Sequence, residues 1–399
     1  MILERCALSH INRLVLNFPG FETTDAVHQI ERLSAGGQKT AKLWGFDLEA
    51  GKIASKSQNH KTTIEFESSS EKWTAHTDYK HFSWTDIIDR YENMAYPQSF
   101  FANFPKYLLF FMDGSIRKYA KASKRYWGFS IYPMLMMIVF GIFSWFLVHY
   151  TVGQLGLHWV MSAIPAFILF LVLCKFPGDM AYLNLSINDW GFARDLVTLS
   201  NNDIVKRNAL FADHLIKEIS ASKHDEIVIV GHSFGSVWAV SALAIALEKK
   251  PNLLKGKRIT FFALGSSLLK IALVKKAKYF DKFVKIVLSE PNIVWHEIQT
   301  KTDFISFYKT EPFAPMKIIE TVSEVIVSRV NFKHALSSER HSKMKKSMYL
   351  AHRQYILYCD KRVHHDFQLR MFGPFYADEL ARDAYLYENN DLIPEQMEA

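Results

Sequence analysis

Gly231-His232-Ser233-Phe234-Gly235 sets one serine between two glycines, directly after the apolar, β-branched run Ile227-Val228-Ile229-Val230. An Ala/Val/Leu-rich pattern of helical period follows through Leu247. The stretch reads as a buried strand, a sharp turn and a helix, with Gly-x-Ser-x-Gly across the turn. That arrangement suits nucleophilic chemistry. A serine at a strained strand-to-helix corner points its hydroxyl out of the sheet, and the glycines let neighbouring backbone pass close by. The helix N-terminus behind it offers N–H groups and a positive dipole end to a developing oxyanion. The five-residue pattern alone arises by chance in roughly one chain in ten of this length. The strand before it and the small-residue helix after it therefore carry the argument.

The elements that must position this serine follow from the rest of the chain. Its 399 residues suffice for one large α/β domain with an appendage, or for two domains. Hydrophobic residues make up 49% and aromatics 14%, values high for a soluble enzyme and suggestive of membrane contact. The net charge of +8 suits either nucleic acid or an anionic membrane surface, and the apolar runs below favour the membrane. Cys6, Cys174 and Cys359 are scattered, giving neither metal-ligand spacing nor a disulfide framework. The N-terminus carries Glu4 and no apolar core, so no secretory signal is expected. No metal, cofactor, nucleotide or nucleic-acid site is expected: no His/Cys/Asp cluster has ligand spacing, and no Gly-rich loop carries a phosphate-binding lysine.

Asn12–Phe18 reads as a strand entering a Pro19-Gly20 turn, followed by a helix capped near Asp25 and broken at Gly36-Gly37. Thr40–Phe46 reads as the next buried strand, and 51–81 as short strands. The apolar 100–112 segment, interrupted by Pro105, is too short to cross a bilayer and reads as an interfacial or buried helix. Tyr126–Tyr150 and Leu155–Cys174 are uncharged runs long enough to cross one, joined by the short link Thr151–Gln154 as an antiparallel hairpin. Arg117, Lys118, Lys121, Lys124, Arg125 and Lys175 flank the hairpin, and its link has no Lys or Arg. The positive-inside bias then puts both ends, and the rest of the protein, on the cytoplasmic face. Arg194–Ile219 contains helical periodicity, the helix expected just before a central strand. Further strands are expected at Lys257–Leu264, Asn292–Ile298 and Glu324–Val330, alternating with helices in a mostly parallel sheet. The domain plan is thus 1–112, a membrane insertion at 113–178 with spans near 127–150 and 155–174, and 179–399.

The elbow and this alternation resemble the α/β-hydrolase superfamily over perhaps residues 11–50 and 190–360, with the hairpin inserted between. The segment Ala351-His352-Arg353-Gln354-Tyr355 with Met371-Phe372-Gly373-Pro374 is similar to the closing part of a bacterial group of membrane-associated serine esterases and lipases. The resemblance implies Ser233 as nucleophile, with triad members in the chain order Ser, acid, His. The acid should follow a later strand, where Asp303 fits better than Asp281 in its Lys-rich helix. Downstream histidines are His334, His341, His352, His364 and His365. Generic topology favours His334 or His341, while the resemblance favours His352. Oxyanion donors would be the N–H of Phe234 and that of Phe21, with Gly20 next. The expected function is hydrolysis of a lipid or hydrophobic acyl ester at the bacterial inner membrane. Thioesterase or amidase chemistry uses the same machinery, and a non-catalytic membrane adaptor is the rival of another class. The basic stretches Lys249-Lys250, Lys275–Lys278 and Lys343–Lys346 read as solvated faces or, beside a bilayer, as contacts for anionic headgroups.

Overall fold

The computed structural model describes residues 8–56 and 60–382; the Met1–Cys6 stretch and residues 383–399 lie outside them. Its centre is one nine-stranded sheet: β1 (His10–Phe18), β2 (Asp47–Ala50), β3 (Ala54–Lys56), β4 (Lys61–Ser69), β5 (Thr74–Phe82), β6 (Glu226–His232), β7 (Ile259–Leu264), β8 (Ile293–Thr300) and β9 (Glu324–Val330). Their spatial order is β2-β4-β5-β1-β6-β7-β8-β9, with β3 also on β4. From β5 to β9 all neighbours are parallel, and β2, β3 and β4 form an antiparallel edge.

Side chains of the central strands alternate between two apolar layers, as the period of two requires. Leu14, Leu16, Ile227, Ile229, Ile259 and Phe261 face a core closed by helices Leu183–Thr198, Asn202–Ala221, Phe234–Lys249 and Lys278–Leu288. Ile11, Val15, Val228, Val230, Phe262 and Leu264 face the other core, closed by helix Ala26–Trp44 and by the C-terminal segment from Phe367. The sheet is therefore covered by helices on both faces, which is why its strands read as continuous apolar runs. Arg13 fixes that C-terminal segment from inside the second layer. Fully buried, it pairs with Glu226 at 2.5 Å and donates to the carbonyls of Met371, Gly373 and Phe375.

Three local expectations are corrected. Thr40–Trp44 is not a strand but the last turn of helix Ala26–Trp44, which runs unbroken through Gly36-Gly37. Those glycines serve packing rather than termination: a Cβ at Gly37 would lie 2.6 Å from Leu48 Cδ2. The helix stops at Gly45, whose φ of 76° closes it. The hairpin link also differs, since Thr151–Gln154 is still helical and the turn falls at Leu155–His158.

Two helices are long and apolar enough to cross a membrane, Lys124–Gln154 and Trp159–Met180 including its first 3₁₀ turn, and they pack against each other. In each, 17% of the apolar window is buried. Leu135, Val139, Ile142, Phe146, Ile164 and Ile168 are exposed, whereas a core helix would bury such side chains. Hydroxyls fasten the base of the pair, two from the segment before it and one between the ends of its own helices. Tyr107 donates to the Ser130 carbonyl, Tyr132 to Ala181 and Tyr96 to Leu171, each at 2.7 Å. The 98–112 segment forms helix Gln98–Met112 with Pro105 inside it, packed on helix Leu183–Thr198.

Candidate active site

Every sequence-predicted site residue except the base lies just past the carboxyl end of a parallel strand, the edge where open α/β sheets bind ligands. Phe18 of β1 stands opposite Gly231 of β6, and His232 opposite Leu264 of β7, itself opposite Ile298 of β8. The register thus brings the Gly20–Phe21 turn, Ser233 and the loop carrying Asp303 to one rim.

Ser233 sits at the corner between β6 and helix Phe234–Lys249, with φ 55° and ψ −124°. A non-glycine residue at positive φ is strained and persists only where its surroundings fix it. Here the Ser233 N–H donates to the Leu264 carbonyl at 3.0 Å. The Ser233 carbonyl accepts from the N–H groups of Ser236 and Ser267 and from the Ser236 hydroxyl. The turn is tight enough to demand glycine: a Cβ at Gly235 would stand 1.9 Å from the Phe18 carbonyl oxygen. Phe234 opens the helix, so its N–H has no acceptor in a preceding turn and lies at the positive end of the dipole.

Asp303 and His352 are buried together. Asp303 Oδ2 accepts from His352 Nδ1 at 2.8 Å, and its Oδ1 accepts from the Ile305 N–H at 2.8 Å. That bond leaves His352 Nε2, which is buried and has no hydrogen-bond partner among the described residues. Gly20, Phe21, Ser233, Ile305 and His352 line one cavity of about 40 Å3. Ser233 Oγ makes a hydrogen bond to Ser267 Oγ at 3.4 Å and none to the imidazole. A serine–histidine contact that tightens only with substrate is common in empty sites.

The other candidates fall elsewhere. His341 lines a separate cavity, His334 is exposed at the end of a short helix, and Asp281 lies on helix Lys278–Leu288, half-buried. His364 and His365 lie beyond the helix that carries His352.

Three contributors were not singled out from the sequence. His232 Nε2 donates to the His352 carbonyl at 2.9 Å, and the two rings lie 4.9 Å apart. Burial, then the neighbouring His352, keeps the His232 imidazole well below its ordinary pKa and hence neutral. Tyr355 accepts the Thr300 N–H at 3.0 Å and sets its ring against both histidines. Lys270, from the segment after Gly265-Ser266-Ser267, pairs with Asp189 at the cavity wall and lies 4.8 Å from the Phe234 ring centroid. Only the Gly-Ser signature after β7 hinted at this last group.

Comparison with protein-family models, with curated proteins and with solved structures finds no match. The site must be read from its own geometry. Among the described residues no group of three His, Cys, Asp or Glu side chains is placed to hold a metal.

A cleft of about 550 Å3 shares Phe21, Glu22, Tyr349 and Arg353 with the serine's cavity. It extends to Tyr96, Lys175 and Asp179 at the base of the second apolar helix.

Proposed function

We propose that the chain is a membrane-anchored serine hydrolase that cleaves an ester of a lipid or another hydrophobic acyl compound. The observation that carries the reading is the buried Asp303–His352 bond, which leaves Nε2 without a partner among the described residues on a side chain that lines the same cavity as Ser233. His352 takes the Ser233 proton as Oγ attacks the acyl carbon, then returns it to the leaving alcohol. Asp303 holds the Nδ1–H tautomer and stabilises the imidazolium, and water repeats the cycle on the acyl-enzyme. The N–H groups of Phe234 and Phe21 are the proposed oxyanion donors. Elbow, chain order and sheet rim together support an α/β-hydrolase fold with an inserted hairpin.

The lipid assignment is supported by position. The cleft adjoining the site reaches the base of an apolar helix, and its volume suits a lipid-sized ligand. Two exposed apolar helices support membrane insertion, and the cations at their base support a cytoplasmic site at an inner membrane.

Labelling of membranes with a fluorophosphonate tests the reading. Wild type should label, and Ser233→Ala and His352→Ala should not, while His341→Ala labels normally. Absence of Ser233-dependent labelling would leave a non-catalytic adaptor; loss in His341→Ala alone would move the base.

A further inference from the structure

A further cavity, of about 880 Å3, is lined by Lys301, Thr302 and Phe304 of the Asp303 loop. Its charged lining is basic: Arg125, Lys301, Arg329, Lys333 and Lys345, with His341 among them and no carboxylate. These cations are largely uncompensated. Arg329 reaches Glu311 at 3.6 Å, but no ion pair is made by the other four among the described residues. Arg125 stacks on the Phe304 ring at 4.2 Å, and its Nε is buried without a partner. Burial, then Lys345 and Lys333, lower the pKa of His341, as expected where positive charge accumulates. Like charges that line one cavity repel, and an anion shared between them relieves that repulsion.

The apolar part of the lining belongs partly to helix Lys124–Gln154, through Phe129 and Tyr132, and includes Met348. Arg125 stands in that helix's first turn, so the charged half of the cavity meets the end at which the helix leaves the α/β body. A ligand matching both halves carries a phosphate at one end and apolar chains at the other. We infer that this cavity binds the phosphate of an anionic phospholipid, held by Arg125, Lys301, Arg329, Lys333 and Lys345, with the acyl chains along helix Lys124–Gln154. The lipid as source of the phosphate rests on the membrane reading; neither rests on hydrolysis by Ser233. Thr302 and Phe304 flank Asp303, and Ala351 precedes His352, so the headgroup would touch both segments that bear the acid and the base.

The test is binding by the full-length protein in detergent, read by native mass spectrometry. Phosphatidylglycerol is titrated against phosphatidylcholine, with inorganic pyrophosphate as a third arm. Wild type should retain phosphatidylglycerol selectively. Lys301→Gln/Lys333→Gln/Lys345→Gln should weaken retention by about a hundredfold. Lys42→Gln/Lys52→Gln/Lys72→Gln, which removes equal charge at exposed positions around the antiparallel edge of the sheet, should leave it unchanged. The single reversal Lys345→Glu, at an exposed position, should weaken retention in the same direction with the fold undisturbed. Equal retention by the cavity variants, or equal loss in the control, overturns the site. Cavity-dependent binding of pyrophosphate without phosphatidylglycerol overturns the lipid and leaves a soluble phosphate. No turnover is measured, so failure here is distinct from failure of the hydrolase reading.

Discussion

His352 Nδ1 stands 2.8 Å from Asp303 Oδ2, both side chains buried, across 49 residues of chain. With Nδ1 engaged, the neutral ring must present Nε2 as an acceptor, the tautomer a general base requires.

Asp303→Asn should therefore do more harm than its small change in shape suggests. An amide can donate to Nδ1, which favours the wrong tautomer, and kcat should fall by about 10⁴-fold. Steady-state hydrolysis of a chromogenic acyl ester checks this. A loss under tenfold would show that Asp303 is not the orienting acid.

Gly20→Ala tests the oxyanion turn. The added Cβ would lie 2.8 Å from His232 Nδ1 and 3.1 Å from Ser233 Cβ, so the turn and the elbow must part. A displacement of this kind costs up to about 10²-fold in kcat. The fold should survive, as judged by a cooperative melt at a modestly lowered melting temperature, and fluorophosphonate labelling should slow in parallel.

Glu297, on β8, gives a pH dependence of stability that is separate from catalysis. Burial raises its carboxyl to about 8, against a hydrogen bond from Trp295 Nε1 at 3.3 Å that lowers it. The folded state thus holds a proton that the unfolded chain has lost above its ordinary value of 4.5. Stability from this group is full below that value and is lost as pH rises through about 8. Glu297→Gln should flatten the decline of melting temperature between those limits and raise it at the alkaline end. An unchanged profile would remove Glu297 as its source.

The hairpin turn gives a topological test. Leu157 lies in the Leu155–His158 turn and is 46% exposed, and the described cysteines Cys174 and Cys359 are buried. In intact cells, Leu157→Cys should react with a membrane-impermeant maleimide. A cysteine at exposed Lys255 should react only after the membrane is opened. The reverse pattern would invert the proposed orientation.

Local chemistry determined much of this protein. The run Ile227–Gly235 specified strand, corner and helix because β-branched residues, a Gly-x-Ser-x-Gly turn and small helical residues each favour one backbone state. The two long uncharged runs specified exposed helices for the same local reason, since no polar stripe divides them. Thr40–Trp44 misled because its β-branched and aromatic residues suit a strand, yet packing against the C-terminal segment through Gly36 and Gly37 holds them in a helix. What only the tertiary structure decided is which histidine meets Asp303. Five histidines follow β9 in short helices and loops whose polarity has no period, so spacing could not rank them. The choice depends on Tyr355 fixed against the Thr300 backbone and on His232 holding the His352 carbonyl. Those contacts join residues far apart in the chain, which exist as neighbours only once the sheet has formed.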